Sequence, residues 1–167
     1  MTQGVGRRMV IGIGNPDRGD DAAGLEVARL LRQRLLGEVE VSQHAGDAAA
    51  LLERLDGVAA AVLVDACVSG APAGTVLRID AAAAALPRWG GSASTHGLGL
   101  GEAIELARAL GRLPMRCIVY AIEGQSFALG APLSPPISKA VVEVARRVAA
   151  EMAADPIEGR EARVPAH

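Results

Sequence analysis

Asp20 and Asp21 stand side by side in IGIGNPDRGDDAAGLEVARLL (residues 11–31), Asp65 closes the run AAAVLVD, and His96 lies in STHG. One acid at the start of a helix needs no special reason. A carboxylate there satisfies free N–H groups and complements the helix dipole, a contribution of about 0.5 to 2 kcal/mol. Two acids crowd like charge into one turn, and that cost invites a cation or an electropositive partner. A carboxylate at the end of a buried apolar run likewise needs a partner, water, or a turn to cap. Asp21, Asp65 and His96 are separated by 44 and 31 positions, and together they offer two carboxylates and one imidazole. Such a set suits a borderline divalent ion such as nickel or zinc, with positions left for another molecule's ligands.

Three other residues near these loops carry reactive groups. Cys67, two positions past Asp65, is a possible nucleophile but reads more simply as a buried apolar thiol. His44 reads as a crevice-lining or capped residue. Glu123 reads as an acid that binds or polarises a substrate, or equally as a solvated loop acid.

These residues must be held by an alternating series of elements. Residues 7–14 form a short apolar run ending in glycines, read as a first strand. Residues 21–36 carry Leu25, Ala28, Leu31 and Leu35 at helical spacing. Strand patterns follow at 38–45, 59–68, 74–81 and 115–124, and helical ones at 47–55, 97–111 and 133–154. The stretch 82–95 is a loop by its Pro and Gly content. Such alternation predicts an α/β fold, a three-layer α/β/α sandwich in which one twisted, mainly parallel five-stranded sheet has helices on both faces. In that architecture ligands bind beyond the carboxyl ends of the strands, where Asp20, Asp21, Asp65, His96 and Glu123 all fall.

The chain of 167 residues is long enough for one domain, expected over 1–154, with 155–167 as a flexible tail. Half its residues are hydrophobic and mean hydropathy is +0.27, which argues against disorder. A net charge of −2 and only 2% aromatic residues give neither a basic field nor stacking surfaces for nucleic acid. No run approaches the roughly 20 apolar residues of a membrane span. Cys67 and Cys117 have no C-x-x-C spacing, which suits a reducing cytoplasm. GIGNPD lacks the third glycine of a dinucleotide fingerprint, and the acids after it would repel a pyrophosphate. There is no H-E-x-x-H helix and no G-x-S-x-G elbow.

The segments GIGNPDRGDDAAGLEVARLL, VLVDACVSG, STHGLGLGEAIELARALG and EGQSFALGAPLSPPI, in that order, resemble the hydrogenase maturation proteases over roughly residues 9–152. The resemblance implies an endopeptidase that trims the C-terminal extension of a nickel-iron hydrogenase large-subunit precursor after nickel insertion. It implies metal contact by Asp21, Asp65 and His96, with the nickel carried by the substrate. That metal would polarise the scissile carbonyl or activate water, and Asp20 or Asp21 would accept a proton. The chain is expected to act as a cytoplasmic monomer without nucleotide. Flexible loops around Gly90–Gly101 and Gly124–Pro136 are the expected contacts with the precursor's tail. Ala22 stands where the family often has glycine, and Asp21 where some members have glutamate. The competing readings are a nickel-sensing chaperone that binds the precursor without cutting it, and a hydrolase using Cys67.

Overall fold

In a computed structural model, described over residues 6–35, 37–87 and 97–154, the chain forms five strands and four α-helices. In chain order these are β1 (Arg7–Ile13), α1 (Ala23–Arg34), β2 (Glu40–His44), α2 (Ala48–Leu55), β3 (Val58–Cys67), β4 (Val76–Asp80), α3 (Gly97–Ala109), β5 (Arg116–Glu123) and α4 (Pro135–Ala154). The strands make one sheet in the order β2-β1-β3-β5-β4. β1, β2, β3 and β5 are parallel, and β4 pairs antiparallel with β5 at the edge. The predicted tail, 155–167, and His96 lie outside the described residues.

The apolar pattern explains the layers. β3 is buried along almost its whole length, as a parallel strand covered on both faces must be. Its alternate side chains point into separate cores. Val62 and Val64 pack with Val27 and Leu31 of α1 and with Val144 and Val148 of α4. Ala61 and Leu63 pack on the other side with Leu51 and Leu55 of α2 and with Leu100 and Ile104 of α3. At the amino end of the sheet, Tyr120 Oη donates to Glu151 at 2.8 Å and Arg78 Nε donates to the same carboxylate at 2.7 Å, tying α4 to β5 and β4.

Glycine lets α1 lie directly on the sheet. A Cβ on Gly24 would sit 2.3 Å from the Val64 carbonyl oxygen and 2.4 Å from that of Ile13. A Cβ on Gly12 would meet the Gly24 carbonyl at 2.1 Å. Backbone therefore touches backbone here, and the turn just before α1 is pressed against the carboxyl ends of β1 and β3.

Candidate active site

That turn is where expectation and structure part. The helix does not begin at Asp21: Gly19–Ala22 forms a 3-10 turn and α1 starts at Ala23. The α1 N-cap is Ala22, with no side-chain capping bond, so neither aspartate does the capping work that would have explained one of them. Ala22 adopts φ −79° and ψ −3°, an ordinary right-handed conformation, so the absent glycine costs nothing at this position.

The paired acids have separate fates. Asp20 is fully buried, and its carboxylate accepts from the backbone N–H groups of Gln125 (2.9 Å), Ser126 (2.9 Å) and Ser134 (2.7 Å) and from Ser134 Oγ (2.8 Å). Burial pushes its pKa up, but these donors outweigh burial and leave it below the ordinary 3.8. All four of these donors come from the loop after β5 and its junction with α4.

Asp21 is also buried, with one carboxylate oxygen receiving the Asn15 N–H at 3.1 Å. Asn15 is itself set by the loop, its side-chain oxygen accepting from Asp17 N at 2.9 Å. Asp65 lies two residues before the end of β3 and is 3% exposed. Burial holds its carboxyl well above the usual range and the nearby charge of Asp21 pushes further the same way, with the Ala66 backbone N–H acting in the opposite sense. Its Oδ1 is buried without a hydrogen-bond partner among the described residues. Asp65 does not cap the turn that follows it.

Glu123 does that instead. Neither solvated nor free for a substrate, it is buried and accepts from Ser69 Oγ (2.6 Å), Ser69 N (2.9 Å) and Gly70 N (3.1 Å). Burial raises its pKa, and the Ser69, Cys67 and Gly70 donors more than reverse that. Cys67 Sγ donates to the same carboxylate at 3.4 Å. Burial and the Glu123 carboxylate push the thiol up to about 12, so it is no nucleophile near neutral pH. His44 Nδ1 accepts from Gly46 N at 2.9 Å, a local cap on the turn after β2. Burial, then the Arg54 charge, lower its pKa, against a smaller opposing effect of Asp47.

Asp21 lies near enough to Asp65 for its charge to act on that carboxyl. Among the described residues no group of three His, Cys, Asp or Glu side chains could hold a metal ion. The third predicted ligand, His96, is outside them, although the next residue, Gly97, opens α3. α3 packs on the face of the sheet to which Asp65 belongs by alternation with Ala61 and Leu63. Sequence reasoning missed the brace roles of Asp20 and Glu123. The only local signal was that each acid sits beside a glycine at a loop root.

A family model described as hydrogenase maturation protease matches residues 26–151, a span that includes Asp65 and His96 and begins after Asp21. Among solved structures, the chain is similar to the hydrogenase maturating endopeptidase HybD from E. coli, with a TM-score of 0.73, 23% identity, and coverage of 89% of this chain and 93% of that one. It is similar also to an endopeptidase from Escherichia coli (TM-score 0.74, 22% identity, coverage 87% and 93%). A third is the [NiFe] hydrogenase maturation protease HycI from Thermococcus kodakarensis KOD1 (TM-score 0.67, 24% identity, coverage 89% and 93%). At these identities the structural likeness establishes a shared fold. No curated protein matches the sequence.

Proposed function

The chain belongs to the hydrogenase maturation protease family, and on that premise we propose that it is the endopeptidase that removes the C-terminal extension of a nickel-iron hydrogenase large-subunit precursor after nickel insertion. In this reading Asp21, Asp65 and His96 contact the nickel that the precursor carries. The metal is part of the substrate, and its presence licenses the cut. The protein acts as a cytoplasmic monomer without nucleotide.

The observation that carries this reading is Asp65. A carboxylate with one oxygen buried and without a hydrogen bond, beside a second acid, is costly to the fold. A divalent cation arriving between the two would offset both the burial and the repulsion. Nickel gripped there supplies Lewis acidity to the scissile carbonyl or to an attacking water. Asp21 keeps the role of proton acceptor, because Asp20 is committed to the loop after β5. The backbone N–H of Asn15 holds one oxygen of Asp21 and so orients the carboxylate.

The test is to incubate the purified protein with nickel-loaded and nickel-free precursor and weigh the product. Loss of the tail's mass from the nickel-loaded form alone is expected. An unchanged mass with stable association would make the protein a nickel-sensing chaperone. Asp21→Asn, Asp65→Asn and His96→Ala should each abolish tail removal with circular dichroism unchanged. Normal processing by all three would remove the assignment.

A further inference from the structure

We propose that the loop from Gln125 to Leu133 is a preformed docking lip for the hydrogenase precursor, with Leu129 as its apolar contact, a proposal that rests on the protease reading above. Surface loops are usually mobile, and ordering one on binding costs conformational entropy. This loop has met that cost in the free protein. Both of its ends are fastened to the buried Asp20 carboxylate, through Gln125 and Ser126 at one end and Ser134 at the other. The Asp20 N–H donates back to the Ser126 carbonyl at 2.8 Å, and Gly130 N donates to the Asp17 carbonyl at 2.7 Å. The two loops meet so closely that a Cβ on Gly19 would lie 2.4 Å from the Ser126 oxygen.

At the tip, Ala131 N donates to the Ala128 carbonyl at 3.1 Å, closing a turn with Leu129 and Gly130 at its corners. Gly130 has φ +76°, the left-handed value that the third position of a type II turn requires. Leu129 is held at that corner 78% exposed. A single exposed leucine is ordinary on a flexible surface. Here a large apolar side chain is displayed on backbone fixed by a buried carboxylate, which is how an interface anchor is built. Its occupant follows from the covalent structure. Asp20 and Asp21 are consecutive, so a protein that brings its nickel to Asp21 arrives beside the segment that Asp20 holds.

Leu129→Asp and Leu129→Ala alter only an exposed side chain, and Ser134→Ala loosens the brace without touching the tip. Each variant would be compared with the unaltered protein for Kd toward nickel-loaded precursor and for KM and kcat of tail removal. Leu129→Asp should raise Kd and KM roughly tenfold or more, the range for losing one buried leucine contact, with kcat little changed. Leu129→Ala and Ser134→Ala should raise both by smaller factors. Kd and KM within about twofold of the unaltered protein for Leu129→Asp would overturn the lip. If the unaltered protein binds the precursor but never cuts it, the protease reading fails and the Kd comparison still decides the lip. If it does not bind at all, the lip falls with it.

Discussion

Four carboxylates are buried at the mouth of this sheet among the described residues, and the environments of three of them fall into two kinds. Asp20 and Glu123 each collect several donors and carry lowered pKa values. Their contribution to stability is present above the unfolded values near 3.8 and 4.5 and is lost as pH falls through the lower folded ones. Asp65 has the opposite sign. With a raised folded pKa it favours the fold only when protonated, and that contribution is lost as pH rises through the folded value. Asp65→Asn is therefore expected to raise stability at pH 7, on the order of 1 kcal/mol or more, while ending tail removal. Urea titrations at several pH values would check it: the advantage of the variant should shrink toward pH 4, and a variant no more stable than its parent at pH 7 would contradict it. Asp21 and Asp65 stood out in the sequence because one opens an amphipathic pattern and the other closes an apolar run. It could not reveal that Asp20 is spent on the fold, since its donors lie 105 to 114 positions away.

The elements were legible through their periodicity, and their misreadings have local causes. The helical pattern after the glycine-rich loop extends back to Asp21, but contact with β1 and β3 tightens the first turn into a 3-10 form. β4 runs against β5 because no helix intervenes between β3 and β4 to carry the chain back to the other end of the sheet. The turn-like SGAPAG between two strand patterns held that signal. The approach of α1 to the sheet depends on Gly24, where any side chain would strike the Val64 and Ile13 carbonyls. Gly24→Ala should destabilise the protein by about 1 to 3 kcal/mol, the usual range for overpacking, and should weaken tail removal because Asp21 is three residues upstream. A lower denaturation midpoint with an unaltered m-value is the expected signature. An unchanged midpoint would mean that the helix rides more loosely than the contact distances indicate.

At the scale of the molecule, the sheet divides the interior into two cores, and the candidate site sits where the loops from β1, β3 and β5 are tied to one another. That arrangement was predictable as a class, since alternating elements place their loops on one edge, but the ties that make three loops one body were not. Those ties also have a consequence during synthesis. Asp20 emerges early from the ribosome, and its donors Gln125, Ser126 and Ser134 are made 105 to 114 residues later. Until then a growing chain has no donors to quench that acid and no α4 to cover one side of its strands. A translation-arrested chain ending at residue 124 should remain open to proteolysis, whereas one extended well past residue 154 should become resistant. Catalytic competence would thus arrive last, and a truncated product could not clip a precursor prematurely.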